Sequence, residues 1–172
     1  NHDGLSACDP GTGQALWDFP WSGDLHVNCS QPVVIDAAAG RLFYGTGYGQ
    51  GSVLLEVQRG RDGGCHVQAV WESRGKMKTK FTTAVLHRGY VYGLDDGILA
   101  CLELQTGRQV WKSGRYGHGQ ILLADDLLIV QAESGDVFLV RPDPAKLIEL
   151  GQIPALSSKT WNNPALDRKS VV

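Results

Sequence analysis

Three features of this 172-residue sequence predict an all-β fold. Glycine supplies 22 residues, well above the average share of about 7%, and is spread along the chain as many tight turns require. Short apolar runs such as Ile121–Ala124 and Leu127–Val130 recur with turn residues between them, a strand pattern with no helical period. One pattern is also written twice: CDPGTGQALW from Cys8 to Trp17, and CLELQTGRQVW from Cys101 to Trp111.

Aligned on their tryptophans, Ala7 falls on Cys101, Asp9 on Glu103, Thr12 on Thr106, Gly13 on Gly107 and Trp17 on Trp111. This reads as a β-hairpin: a half-buried strand, a turn whose Gly takes positive φ, and a second strand carrying the Trp. Burying an indole removes roughly 150–250 Å² from water. At about 25 cal/mol per Å² the upper bound is ~4–6 kcal/mol, so a repeated Trp is a packing device between units. Two degraded copies follow. Ser52–Trp71 keeps both strands and Trp71 but enlarges the turn to GRDGG, and 135–150 uses Pro-Asp-Pro and is expected to carry Glu149 in the Trp place. The Trp steps are then 54, 40 and 38 residues, the first lengthened by insertions at 37–40 and 60–64.

The segments between hairpins repeat as well: 32–45, 83–93 and 120–130 are each an apolar run, a turn and a second apolar run. Each unit therefore has four short strands. Strand A is expected near 31–36, 82–87, 120–124 and 163–167. Strand B is expected near 41–46, 90–94, 127–132 and 169–172, strand C near 4–9, 52–58, 97–103 and 135–141, and strand D near 14–19, 66–72, 108–113 and 146–151. Four-stranded antiparallel units at a period of about 40–50 residues predict a β-propeller. The single domain 1–172 then divides into a half-blade at 1–21, blades near 29–75, 80–114 and 118–153, and a half-blade at 160–172. Three full blades with two halves are expected to be a section of a larger ring.

A formal net charge of −2 and the lack of a basic run argue against nucleic acid and anionic membrane surfaces. No apolar stretch approaches the roughly 20 residues of a membrane helix. The four cysteines, Cys8, Cys29, Cys65 and Cys101, form no C-x-x-C pair and are read as small buried hydrophobes, with disulfides the alternative.

The hairpin motif resembles the tryptophan-docking repeat of the pyrroloquinoline-quinone-like β-propellers, Ala-x-Asp-x-x-Thr-Gly-x-x-x-Trp. Ala7, Asp9, Thr12, Gly13 and Trp17 match it throughout; Cys101 and Glu103 replace its Ala and Asp in the other copy. That family includes quinone-dependent alcohol dehydrogenases, an outer-membrane assembly scaffold lipoprotein and secreted proteins of no known activity. The resemblance implies an extracytoplasmic protein whose partners are other proteins or the remaining blades of its ring. The dehydrogenases use pyrroloquinoline quinone, calcium, a catalytic Asp and often a disulfide between adjacent cysteines. This chain has no Cys-Cys pair and no local calcium-ligand motif. The expectation is a non-catalytic scaffold or binding module without a cofactor; the alternative is a quinone- and calcium-dependent dehydrogenase.

Propellers gather their D-to-A and B-to-C loops at one mouth, where ligand sites form. Those loops here supply the candidate ligand-binding residues Gln31, Tyr48, Lys80, His118, Trp161, Asn162 and Asn163. His118 lies between glycines that let a backbone approach, and it can act as a ligand, a base or a hydrogen-bonded channel residue. Trp161 can stack a planar ligand but is weighed more heavily as interblade packing. Asn162 and Asn163, before Pro164, also fit ordinary turn chemistry. Asp95-Asp96-Gly97 offers oxygen ligands but reads first as a two-residue hairpin turn. Lys76, Lys78 and Lys80 read as a solvated loop, and GTGYGQG (45–51) as a flexible loop carrying Tyr48, since no helix follows to bind phosphate.

Overall fold

The computed structural model describes residues 3–23, 25–61 and 63–167. It is all-β, and among the described residues there is no helix, hence none long and apolar enough to cross a membrane. A half-blade pairs β1 (Gly4–Cys8) with β2 (Ala15–Pro20). Blade 1 comprises β3 (Val33–Asp36), β4 (Arg41–Thr46), β5 (Gly51–Arg59) and β6 (Cys65–Arg74). Blade 2 comprises β7 (Val85–His87), β8 (Tyr90–Asp95), β9 (Ile98–Glu103) and β10 (Gln109–Arg115). Blade 3 comprises β11 (Gln120–Ala124), β12 (Leu127–Gln131), β13 (Asp136–Arg141) and β14 (Ile148–Pro154). Each blade is a simple antiparallel meander, so the chain is a partial β-propeller. The strand expected near 163–167 is reduced to a bridge at Leu166, and the one expected near 169–172 lies outside the described residues.

The repeated hairpin turn has a definite chemistry. Asp9 Oδ1 accepts hydrogen bonds from the backbone N–H groups of Gly11 and Thr12 and from the Thr12 hydroxyl. The Thr12 oxygen accepts from Gln14 N–H, and Gly13, at φ +73°, donates to the Asp9 carbonyl. The bonds from Thr12 and Gly11 hold the Asp9 carboxyl below its usual range. The second copy repeats the arrangement, with the Thr106 hydroxyl donating to Glu103, Thr106 accepting from Arg108 N–H, and Gly107 N–H donating to the Glu103 carbonyl.

The tryptophans close the interblade cores. Trp71 donates its indole N–H to the Leu104 carbonyl of blade 2 at 2.8 Å. Its ring lies so close to Gly107 that a Cβ there would sit 2.6 Å from it. Trp111 donates to the Asp143 carbonyl of blade 3 at 2.9 Å. Each lies at the end of a cross-strand row, Phe43–Leu54–Trp71 in blade 1 and Tyr92–Cys101–Trp111 in blade 2. The aromatic pairs share one geometry, with ring centroids 6.1 Å apart at 54° and 55°. Trp17 packs against the buried cluster of Leu5, Trp21, Tyr44, Val53 and Leu55 between the half-blade and blade 1.

Two sequence expectations are corrected here. Glu149 does not stand in the Trp place of blade 3. The corresponding row is Ile129–Leu139–Gly151, so Gly151 occupies that place, 40 residues after Trp111. A bulge between Leu139 and Val140 places Glu149 opposite Val140, on the face toward blade 2, where it accepts the Tyr116 hydroxyl. The cysteines are all free, and only Cys101 is buried; Cys8 and Cys29 are exposed and Cys65 half-buried. Burial pushes the Cys101 thiol up to about 11, so it stays protonated beneath Trp111.

Candidate functional site

The D-to-A connections and B-to-C turns meet along one rim through backbone hydrogen bonds. Asp96 N–H donates to the Lys78 carbonyl, Tyr116 to Gly97, Glu133 to Tyr116, and Thr160 to Glu133. Glycines allow this closeness. A Cβ at Gly119 would meet the Gln131 carbonyl oxygen at 1.9 Å, and one at Gly47 would lie 2.7 Å from Lys80 Cα. The glycine beside His118 therefore admits a neighbouring strand's backbone, while Gly47 lets Lys80 fold against its own turn at φ +53°.

On this frame four of the seven candidate residues come together. The Lys80 ammonium lies 3.1 Å from His118 Nε2, to which it donates a hydrogen bond, 3.5 Å from Asp96, and 5.9 Å from the Tyr48 ring centre. Phe81 connects His118 to Trp161, with ring centroids 5.7 and 5.8 Å away. Trp161 is 54% exposed among the described residues. Its N–H donates to Glu133 at 3.0 Å, and the Lys159 ammonium sits 4.7 Å from its ring centre.

Glu133 clamps this arrangement. It takes the Lys159 ammonium at 2.5 Å, the His118 backbone N–H at 2.9 Å and the Trp161 indole N–H. The bond from Lys159 first, then those from His118 and Trp161, lower its carboxyl to about 2. Phe81, Glu133 and Lys159 were not among the residues the sequence pointed to as ligand-binding. Phe81 and Glu133 lie in the loops that the blade reading sends to the rim, which is the one sequence cue to them.

The remaining candidates sit differently. Gln31 is exposed, its backbone N–H donating to Thr83. Asn162 enters through its backbone, its carbonyl accepting from Gln131 and its N–H donating to Thr160. Asn163 is exposed.

Of the basic alternation around residue 78, Lys76 is exposed as a solvated loop would have it, but Lys78 and Lys80 are half-buried and ion-paired. Met77 and Thr79 are buried between the lysines, and Lys78 pairs with Asp96 at 2.5 Å. Asp95 is 1% exposed and takes the Lys112 ammonium at 2.8 Å and the Lys78 N–H at 3.0 Å. Burial works to raise the Asp96 carboxyl, but Lys78 and Lys80 outweigh it and hold the group below its usual range. Asp96 and Gly97, with φ of 49° and 81°, form the two-residue hairpin turn that the sequence predicts. Asp95, Asp96 and Glu133 are thus each neutralised by lysine, a donor set that does not fit a calcium ion. Among the described residues no three His, Cys, Asp or Glu side chains form a metal-ligand cluster.

No family model and no curated protein matches this chain. Solved structures do. BamB from Moraxella catarrhalis aligns at TM-score 0.55 and 16% identity, over 89% of this chain and 43% of that one. The computationally designed Ika8 protein aligns at TM-score 0.50 and 12% identity, over 99% of this chain and 61% of its own. At such identities the likeness concerns the fold, and this chain spans less than two thirds of either structure.

Proposed function

We propose that this protein is a non-catalytic β-propeller binding module, acting outside the cytoplasm, that engages a protein or small ligand through the rim bearing Tyr48, Lys80, Phe81, His118 and Trp161. The observation that carries this reading is the chain of contacts among Tyr48, Lys80, His118, Phe81 and Trp161, drawn from four separate loops. Flat rings with fixed orientation provide contact area at little entropic cost, which suits recognition. The pairing of Asp95, Asp96 and Glu133 with lysines supports binding over metal-assisted chemistry. The extracytoplasmic location rests on the resemblance of the hairpin motif to its family.

A photo-crosslinking residue placed at Phe81 is expected to give a discrete adduct in extracts of the source cell. The same residue at Arg88, in the opposite A-to-B turn, is expected to give none. In parallel, titration with pyrroloquinoline quinone and calcium is expected to leave tryptophan fluorescence unchanged and to support no alcohol-driven dye reduction. Adducts confined to position 88, or saturable quenching with dye reduction, would overturn the reading.

A further inference from the structure

An arginine stands at the same place in blades 1 and 2. Arg74 closes β6 opposite Gly51, and Arg115 closes β10 opposite Ile98, each across from the first residue of the neighbouring strand. Their side chains are held differently. Arg74 donates to Gln50 at 3.1 Å and to Glu72 at 3.3 Å, and its guanidinium lies 4.8 Å from the ring centre of Trp21. The Arg115 guanidinium has no hydrogen bond, ion pair or ring contact among the described residues. Arg115 instead lines a cavity of about 480 Å³ between blades 2 and 3. That cavity lies on the side of blade 3 that faces blade 2, and its walls are described residues, so it does not depend on what packs against β14.

The floor of the cavity is Tyr116 and Phe138, edge to face with ring centroids 4.9 Å apart. The Tyr116 hydroxyl donates to Glu149, which fixes its ring. A Cβ at Gly114, at φ +75°, would sit 2.7 Å from that ring, so the glycine is what lets Tyr116 fold back beside Arg115. The walls carry Arg115 and Lys159 against Glu133 and Asp136, a formal balance of zero. Three of these four charges are already engaged. Glu133 takes Lys159, the His118 N–H and the Trp161 indole, and Asp136 takes the Ser134 hydroxyl. Arg115 is the one left without a partner among the described residues.

We propose that this cavity binds a monocarboxylate with an apolar body, either a free arylalkanoic acid or the C-terminal residue of a peptide. The carboxylate takes the Arg115 fork, and the body lies on Tyr116, Phe138 and Ala132. A guanidinium presents two parallel donors that match the two oxygens of a carboxylate. Phosphate shares that geometry, but a dianion would also face Glu133 and Asp136, and like charges held together are costly. Two rings at a steep angle receive a further ring or alkyl group in the same edge-to-face manner. The volume falls in the range of roughly 300–1,000 Å³ common to small-ligand sites. None of Tyr48, Lys80, Phe81, His118 and Trp161 lines the cavity, so this site goes beyond the rim and does not depend on its role.

The test is isothermal titration calorimetry near neutral pH with two probes, hydrocinnamate and the N-acetylated peptide Ala-Gly-Ala-Phe with a free C-terminus. At least one is expected to bind one-to-one with a Kd of about 1 mM or tighter. The neutral amide of that probe is expected to bind at least about tenfold more weakly. Arg115→Gln, at an exposed position, is expected to weaken the acid by a similar factor, with circular dichroism confirming that the variant folds. Arg74→Gln, at the matching place in blade 1, is expected to leave binding unchanged. Binding of hydrocinnamate alone supports the proposal and makes the ligand a small acid; binding of the peptide alone supports it and makes the ligand a chain terminus. Absence of binding by both probes up to about 10 mM, amides that bind as well as the acids, or binding indifferent to Arg115→Gln overturns the proposal. Inorganic phosphate that binds more tightly than either acid would also overturn it.

Discussion

The faces of blades 2 and 3 have the same strand order and cross-strand pairing, yet one is sealed and the other open. Across blade 2 the row ends in Trp111, which covers Cys101, meets Tyr92 and bonds to the Asp143 carbonyl of the next blade. Across blade 3 the row ends in Gly151 over a half-exposed Leu139. The backbone is not what differs. Two side chains set the rows apart, Tyr92 against Ile129 and Trp111 against Gly151; the blade 2 face is also covered by blade 3, whereas no blade beyond blade 3 lies among the described residues. Propeller geometry therefore sets where an interblade contact can be made, and the row residues set whether it is locked.

The strongest way to break this comparison is Trp111→Ala. It empties the blade 2 face as Gly151 empties that of blade 3, and it should cost about 3–5 kcal/mol in denaturant unfolding. A loss below about 1 kcal/mol would mean that the Trp lock is not what joins the blades. Trp111→Phe keeps a ring but removes the N–H bonded to the Asp143 carbonyl, and it should cost about 1–2 kcal/mol. That result separates the bond from the burial. Gly151→Val works in the opposite direction. Its open surroundings and permissive φ predict a gain of about 0.5–1 kcal/mol, read as a higher denaturant midpoint.

The smallest effect at neutral pH concerns the rim, and it distinguishes the two kinds of interblade contact. The Trp locks carry no titrating group, whereas the Glu133 clamp does. Its folded-state carboxyl is lowered from the ordinary 4.5 to about 2, so its contribution is complete above pH 4.5 and is lost as pH falls toward 2. Glu133→Gln should flatten the stability profile in that window and leave it unchanged at pH 7–8. A variant with an unaltered acid limb would show that the clamp contributes nothing.

Much of the fold was legible in the sequence because the turn chemistry is local. Asp9, Thr12 and Gly13 satisfy one another within five residues, and so do Glu103, Thr106 and Gly107. The Glu149 placement failed because a turn changed length. The Trp place lies 10 residues after Cys101 in blade 2 but 12 after Leu139 in blade 3, so the shorter spacing stops at Glu149, while the bulge itself recurs at the same place in all three blades. The exact 40-residue step from Trp71 to Trp111 was the better guide, since it lands on Gly151. At the rim, blade reading brought Lys80, His118, Trp161 and Tyr48 into one region. It could not separate side chains that point into the cluster from Asn162, which joins through its backbone. Nor could it show that Lys78 and Asp95 are ion-paired and largely withdrawn from solvent, because their partners depend on how two blades meet.

The hydrogen bonds of Trp71 and Trp111 run one way. Each indole gives its proton forward, to the hairpin turn of the blade that follows in sequence. A stack of such blades therefore has a head and a tail, as a polymer of unlike ends does. Two copies meeting by a two-fold axis would bring like ends together, indole to indole or turn to turn, and neither end could satisfy the other. Joining by this lock is confined to head-to-tail order, and blade 3 carries Gly151 in the place of the forward-facing donor.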